Sequence, residues 1–289
     1  MTSSLTSARA PPLAQPRLSV IVITRNEADR LPTCLASVAF ADEVIVVDSG
    51  STDGTADLAR RLGAGVIVTT DWPGFGPQKQ RALNAATGHW VLSIDADEWV
   101  DGELAAAIRR VVTANNPADQ PVGDPADNPT ADAAGYAVNR MSAFCGQWMR
   151  AGSWSPDLGV RLFRRQRARF SEDLVHERLL LDGPSARRPG LLLHNSITTL
   201  HDGLDKMNRY SSGRAAQLGA QGRQGGLARA IGHGVWAFAR AYLLRRGFLD
   251  GRLGFVLATL DAQASYYRYL KIWLASPPAS HQLRHPNEH

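Results

Sequence analysis

The chain has 289 residues, 44% of them hydrophobic and 20% charged, so it can bury one large α/β domain with an appendage, or two modest domains. Its 32 basic and 27 acidic residues give a net charge of +5, with the acidic residues concentrated in the first half and the arginines in the second. Two cysteines exclude a disulfide scaffold and are expected to be reduced packing thiols in a cytoplasmic protein. No run reaches the roughly 18 apolar residues of a membrane-spanning helix, which predicts a soluble or peripheral protein.

The N-terminal segment, residues 1–17, is rich in serine, alanine and proline and has too little apolar surface to offset ordering entropy, so we expect a disordered tail. From Leu18 onward, short β-branched runs alternate with helical stretches. The predicted strands are 18–24, 44–48, 66–69 and 90–94, and the predicted helices are 27–40, 55–62 and 77–86. Pro77 suits the first turn of the third helix, and Gly88 suits its C-terminal cap. This alternation predicts βαβ units and a parallel sheet.

The second half of the chain changes in texture. Residues 115–134 are rich in proline, aspartate and alanine and are expected to form a surface loop inserted in the first domain. Further strands are predicted at 136–139 and 159–163, followed from residue 204 by amphipathic helices that include 229–246 and 253–274. We therefore expect an α/β domain over 18–203, a helical subregion over 204–275 and a flexible tail over 276–289.

Carboxylates follow two of the predicted parallel strands. Asp48 ends one strand, and Asp95 and Asp97 follow another. Parallel α/β sheets place their sites outside the carboxyl ends of the strands, so these groups are expected at one edge. A DxD pair supplies hard oxygen ligands suited to Mg²⁺ or Mn²⁺, an ion that neutralises charge on a leaving nucleoside diphosphate.

Three segments, 19–27 (SVIVITRNE), 46–55 (VVDSGSTDGT) and 95–98 (DADE), resemble the signature of glycosyltransferase family 2. The resemblance covers residues 18–112 and implies a GT-A fold, a nucleotide-sugar donor and transfer with inversion. It implies contacts with the nucleotide by Thr24, Asn26 and Glu27, with Asp48 at the base or ribose. It further implies that Asp95 lies beside the nucleotide and that Asp97 binds the metal ion.

Four later segments resemble one subgroup of this family. Residues 170–177, 192–194, 206–211 and 246–251 are similar to bacterial lipopolysaccharide-core β-glycosyltransferases, often described as β-1,4-glucosyltransferases. The subgroup implies UDP-glucose as the donor, although a heptose or galactose donor would require only pocket changes. It also implies a glycolipid or oligosaccharide acceptor of the cell envelope.

Inversion requires a base that takes the proton of the acceptor hydroxyl. The sequence offers Asp173, which matches the general family letters, and Glu177, which matches the subgroup motif and is the favoured candidate. His194 follows an apolar run and either reaches the diphosphate or metal ion or is structural. Lys79 and Arg81, on the helix after a Trp-Pro-Gly-Phe-Gly loop, either contact a phosphate or lie on a solvated face.

The C-terminal helices mix aromatic residues with arginines. This pattern suits an anionic membrane surface, such as the cytoplasmic face of the inner membrane, and equally suits packing on the core or a homodimer interface. Nucleic-acid binding is disfavoured because no recognised binding module accompanies the arginines. Two other functions stay open at this stage: a DxD-dependent phosphatase, and a non-catalytic protein that binds nucleotide sugars.

Overall fold

The computed structural model describes residues 17–114, 133–172 and 177–275. The expected N-terminal tail apart from its last residue, the expected insertion up to residue 132, the C-terminal tail and the candidate base Asp173 lie outside these ranges. The chain divides into two compact units, 1–138 with 159–192, and 139–158 with 193–289. The domain boundary expected after residue 203 stays a prediction.

The first unit begins with a regular alternation of strands and helices. Its elements are β1 (Leu18–Thr24), α1 (Leu31–Ser37), β2 (Glu43–Asp48), α2 (Thr55–Arg61), β3 (Gly65–Val68), α3 (Phe75–Ala85) and β4 (Trp90–Asp95). β1 pairs in parallel with both β2 and β4, and β2 pairs in parallel with β3. The central strands are buried along nearly their whole length, as near-continuous β-branched runs predict for a parallel sheet covered on both faces.

The chain then adds shorter and antiparallel elements. These are β5 (Glu98–Val100), α4 (Gly102–Ala114), β6 (Gly135–Phe144), β7 (Gln147–Trp148), β8 (Asp157–Arg164), β9 (Ala168–Phe170), β10 (Leu179–Leu181) and β11 (Ser185–Ile197). The large sheet has the order β3-β2-β1-β4-β8-β6-β11-β5, with β7 paired to β6. β8 runs antiparallel to β4, so the sheet is mixed, and β9 pairs with β10 in a separate two-stranded sheet.

Two apolar clusters hold the sheet of the first unit. One contains the fully buried Trp90, whose ring lies 5.5 Å from that of Tyr136, together with Leu104 and Ile108 of α4. The other contains Ile21 and Phe163 with apolar residues of α3. Helices therefore cover both faces of the parallel strands, which leaves the strand ends as the positions where polar side chains can gather.

The second unit is mainly helical, with α5 (Leu200–Ala220), α6 (Leu227–Phe238), a π-helical turn (Ala239–Leu244), a 3-10 turn (Gly247–Asp250) and α7 (Gly251–Ala275). Thr199 and Asp202 form a reciprocal capping box at the start of α5. Phe144, Met149 and Leu257 belong to its apolar cluster. Within the described ranges, no helix combines the length and apolar character needed to cross a bilayer.

The predicted strands of the first half are confirmed to within about a residue, but several helix boundaries were wrong. α1 begins at Leu31 rather than residue 27, because Asn26 has a left-handed backbone (φ 56°) and residues 27–31 form a turn. α3 begins at Phe75, so Pro77 lies in its first turn as predicted, but the helix is capped at Ala86 rather than Gly88. The helix expected over 229–246 gives way to the π-helical turn after Phe238. α4 and β9 to β11 were not predicted.

Candidate active site

The carboxyl ends of β1, β2 and β4 bring three of the predicted site residues to one edge of the sheet. In the strand register Thr24 lies opposite Asp48, and Ile23, one residue earlier, lies opposite Asp95. This arrangement follows from parallel pairing, since every strand of such a set ends at the same edge. The predicted juxtaposition of the two carboxylate groups is therefore present in the structure.

Asp48 is buried and anchors the turn that follows β2. One carboxylate oxygen accepts hydrogen bonds from the backbone N–H groups of Gly50 (3.1 Å) and Ser51 (2.9 Å). The other accepts from the hydroxyls of Thr24 (3.0 Å) and Ser51. These four bonds match the acceptor capacity of a carboxylate, so Asp48 shapes the loop, and its predicted contact with a base or ribose stays a prediction.

The loops after β1 and β2 are tied together. The Asn26 side-chain oxygen accepts from the Thr52 backbone N–H at 2.9 Å, and the Asn26 N–H donates to the Ser51 hydroxyl at 2.8 Å. The Glu27 N–H donates to the Thr55 hydroxyl at 2.9 Å. The residues predicted to flank a nucleotide thus form one hydrogen-bonded rim, and their contact with a nucleotide stays a prediction.

Glu27 is half-buried beside this rim. Burial raises its pKa above the ordinary value, and the ion pair with Arg30 (3.1 Å) only partly opposes this effect. The charges of Asp97 and Asp53 raise the pKa further. The Asp97 charge therefore disfavours ionisation of Glu27.

Lys79, on α3, joins the DxD segment to the candidate base. Its ammonium lies 3.0 Å from an Asp95 carboxylate oxygen and 2.9 Å from a Glu177 carboxylate oxygen, and the residue is only 5% exposed. Burial and the Arg161 charge lower the pKa of Lys79, but the Asp95 and Glu177 carboxylates outweigh them and hold the pKa above its ordinary value. The ammonium is therefore a charged bridge between two predicted site residues.

Arg161, on β8, completes this network from the other side. One guanidinium nitrogen lies 3.0 Å from a Glu98 carboxylate oxygen, and another lies 3.9 Å from Asp95. Glu98 is fully buried, and its second oxygen accepts the backbone N–H of Asp95 at 2.9 Å. Glu98 thus fixes both the backbone after β4 and the guanidinium beside it.

The carboxylate oxygens at this site could hold a divalent ion only if a bound substrate supplied further oxygen ligands. Asp95 and Asp97 are hard oxygen donors, but Asp95 also faces Lys79 and Arg161. Across 17–114, 133–172 and 177–275 no three metal-binding side chains form a cluster. Mg²⁺ is commonly held by one or two carboxylates plus substrate phosphates, so a pair of carboxylates without a third side chain is compatible with such an ion. The predicted role of Asp97 as the metal ligand stays a prediction.

The remaining predicted residues have defined contacts. Arg81 makes a forked ion pair with Asp71, at 2.8 and 2.6 Å, and so fastens the loop before α3. His194 lies in the second unit, where its Nδ1 is 2.9 Å from the Ser142 hydroxyl. The predicted phosphate contact of Arg81 and metal contact of His194 both stay predictions.

Sequence reasoning missed Arg161 and Glu98 as site residues. Arg161 is one of several closely spaced arginines in residues 161–169, so composition did not distinguish it. Glu98 directly follows the DxD segment, and a buried glutamate needs a cationic partner. The sequence therefore predicts that Glu98 has such a partner if it is buried. Only the pairing of β4 with β8 identifies this partner as Arg161.

Comparisons with known proteins identify the family of the chain. Residues 19–129 match the family model described as glycosyl transferase family 2. An uncharacterized glycosyltransferase of Rickettsia prowazekii is 31% identical over 267 residues, covering 89% of this chain and 86% of the relative. The lipopolysaccharide core biosynthesis glycosyltransferase LpsC of Rhizobium meliloti is 29% identical over 265 residues, covering 87% and 93%.

A solved structure supports the fold. The mannosyltransferase PcManGT from Pyrobaculum calidifontis, in complex with GDP-Man and Mn²⁺, aligns with a TM-score of 0.50 at 19% identity, covering 92% of this chain and 89% of that one. The predicted α/β GT-A fold with C-terminal helices is thereby confirmed. These findings favour glycosyl transfer over the phosphatase alternative, and the chain belongs to glycosyltransferase family 2.

Proposed function

We propose that this chain is an inverting hexosyltransferase that moves a sugar, with glucose from UDP-glucose as the first candidate, onto a lipopolysaccharide-core or related cell-envelope glycan. Glu177 is the proposed base, and Asp95 and Asp97 form the donor side of the site. The observation that carries the proposal is the Lys79 bridge, because it joins the DxD segment to Glu177 through one buried ammonium. If Glu177 were only part of a charged surface turn, it would not need a buried ammonium as its partner.

The reaction would proceed as a single displacement. Glu177 accepts the proton of the acceptor hydroxyl while that oxygen forms a bond to the anomeric carbon, and the bond from this carbon to the diphosphate breaks on the opposite face. Glu177 becomes a neutral acid in this step. Lys79 retains Asp95 as a counter-charge, so the buried ammonium is never left unpaired, which would be costly in this environment.

The donor diphosphate is expected beside Asp97. A bound Mg²⁺ or Mn²⁺ would supply neutralisation of the charge on the departing diphosphate. In the protein itself, the loop tied together by Asn26 and Thr52 would border the nucleotide, and Glu98 and Arg161 would hold Asp95 in place. Preorganised groups of this kind lower the barrier because they need little rearrangement during the reaction.

The sugar and acceptor classes rest on similarity. The R. meliloti relative is named for lipopolysaccharide core biosynthesis, which supports a core or related glycan as the acceptor. The P. calidifontis structure holds GDP-Man, so a guanine nucleotide donor is the alternative to UDP-glucose. A panel of UDP- and GDP-sugars with extracted core glycolipid would distinguish them through the mass of the product.

The decisive experiment replaces the candidate base. We expect Glu177→Gln to retain donor binding, measured by calorimetry, and to lower the rate of transfer about 10²- to 10⁴-fold, the range typical of a general base. Asp173→Asn tests the rival base, and Glu103→Gln is a matched control because Glu103 is exposed at the start of α4.

The outcomes separate the alternatives. Normal transfer by Glu177→Gln, with loss in Asp173→Asn, would reassign the base within the same function. Full donor binding by the wild type without transfer to any cell-envelope acceptor would instead favour a non-catalytic protein that binds nucleotide sugars.

A further inference from the structure

The second unit exposes several apolar residues around the end of α6 and the start of α7. Leu244 and Leu249 are each 66% exposed. We call this region the arginine–leucine surface. Its exposed members are Val235, Trp236, Leu243, Leu244, Phe248, Leu249 and Phe255, with Arg240, Arg245, Arg246 and Arg252 among them.

Ring contacts connect the elements of this surface. Phe238 lies 5.3 Å from Tyr242 and 5.5 Å from Phe255, measured between ring centroids. Tyr242 in turn lies 6.2 Å from Phe248 and 5.6 Å from Phe255. The exposed rings of Phe248 and Phe255 are therefore joined through Phe238 and Tyr242 into one aromatic cluster, next in sequence to the exposed leucines of the two turns.

The backbone beneath the patch is held firmly. Asp250 is buried and accepts the backbone N–H groups of Arg150 (3.0 Å) and Ala151 (2.9 Å). A Cβ on Gly254 would lie 2.0 Å from the Gly247 carbonyl oxygen, so the 3-10 turn packs at backbone contact on the start of α7. Arg246 has a left-handed backbone (φ 57°), a conformation that costs energy and persists only where the surroundings enforce it. The exposed leucines are thus presented by a defined turn.

The exposed charge of the patch is basic. Residues 206–261 contain nine basic residues and two acidic ones, Asp250 and Asp261. Asp250 is buried and accepts backbone N–H groups, and Asp261 is largely buried, accepts the Ser153 hydroxyl and lies near Arg240 and Arg245. Residues 227–249 contain four arginines and no acidic residue. A second copy of the chain in a two-fold contact would set these arginines against one another, because such an interface pairs each patch with itself.

We infer that the arginine–leucine surface docks on an anionic lipid bilayer, with the leucines and aromatic rings at the boundary between headgroups and acyl chains and the arginines on the lipid phosphates. Exposed apolar residues flanked by arginines are the composition that lies in the plane of such an interface. Each basic residue near an anionic surface adds attraction that salt weakens. This inference does not depend on which sugar is transferred.

The test is sedimentation of the full chain with vesicles of phosphatidylcholine alone and with equal parts phosphatidylglycerol. We expect binding to the anionic vesicles that weakens with salt and weak binding to the neutral ones. The Leu243→Gln, Leu244→Gln double variant should lower the partition coefficient about tenfold or more, because the anchoring leucines are lost. The Arg246→Gln, Arg252→Gln double variant should lower it about tenfold and reduce the salt dependence.

A matched control comes from α2 in the first unit. Leu62 is 47% exposed and follows Arg60 and Arg61, so Leu62→Gln and the Arg60→Gln, Arg61→Gln double variant change similar groups elsewhere. We expect these variants to bind vesicles like the wild type. Unchanged thermal midpoints and unchanged transfer to a water-soluble acceptor would show that the surface variants remain folded.

Three results would overturn the inference. The first is wild-type protein that stays in the supernatant with anionic vesicles. The second is equal loss of binding in the α2 controls. The third is a dimer in sedimentation velocity that becomes monomeric in the leucine variant without any vesicle binding, which would assign the surface to a second copy.

Discussion

The buried ammonium of Lys79 pairs with two carboxylates of the candidate site, those of Asp95 and Glu177. A lone buried ammonium would lose its proton or destabilise the fold, but two carboxylates at about hydrogen-bond distance keep it charged. Because its pKa is raised, its stabilising contribution is present below the ordinary lysine value and is lost only as pH rises through the higher folded value. Lys79 therefore stays protonated across the neutral range and does not set the pH dependence of transfer there.

Removal of the bridge should affect both stability and chemistry. We expect Lys79→Met to lower the free energy of unfolding by about 3 kcal/mol, because it leaves two carboxylates without their shared cation. Transfer should fall about 10²-fold, while Lys79→Arg should keep part of it. Denaturant unfolding and initial-rate measurements test this, with Lys271→Met as control, since Lys271 contacts Asn208, Ser211 and Ser212 instead. Equal losses in both methionine variants would contradict the assignment.

Glu27 provides a pH prediction with a defined sign. Its folded pKa is raised above the ordinary value of 4.5, so its favourable contribution exists at low pH and is lost as pH rises through the folded value. Glu27→Gln removes this dependence. Relative to the wild type, we therefore expect the thermal unfolding midpoint of the variant to be higher at pH 7.5 than at pH 4.5. Thermal unfolding scans at both pH values measure this difference. For the exposed Glu103→Gln control, we expect the difference from the wild type to be nearly the same at both pH values.

At the scale of elements, β11 crosses the start of α4 at a single glycine. A Cβ on Gly190 would lie 2.2 Å from the Leu104 nitrogen, and the Gly190 backbone is left-handed (φ 94°). β11 was not predicted from the sequence, because a strand interrupted by proline and glycine gives no alternating pattern. The crossing depends on a close approach between residues that are distant in sequence.

Gly190→Ala and Gly63→Ala separate crowding from backbone strain. Gly63 has a similar backbone (φ 88°), but a Cβ there would meet nothing within 4 Å. We expect Gly63→Ala to cost about 1 kcal/mol of strain and Gly190→Ala about 3 kcal/mol or more, because crowding adds to the strain. Urea unfolding measures both values. Similar costs for the two variants would mean that β11 shifts without penalty.

At the scale of the whole molecule, donor binding should stabilise the protein. A ligand present at a hundred times its dissociation constant contributes about 2.7 kcal/mol, which raises the thermal midpoint by several degrees. We expect one nucleotide sugar to do so in the presence of Mn²⁺, and Asp97→Asn to abolish the metal-dependent part. Asp57→Asn is the control, because Asp57 forms only a surface pair with Arg60. Stabilisation that is identical with and without Mn²⁺ would remove Asp97 from the metal site.

The sequence by itself determined the family, the parallel strands of the first half and the edge where Asp48 and Asp95 meet. Those features follow from local β-branched runs and from the rule that parallel strands end together, so short segments suffice to find them. The contact between Arg161 and Glu98 depends instead on the pairing of β8 with β4, and that of Lys79 depends on Glu177 lying beside α3. Only the tertiary structure decided them, because ion pairs between distant segments leave no local periodicity in a sequence.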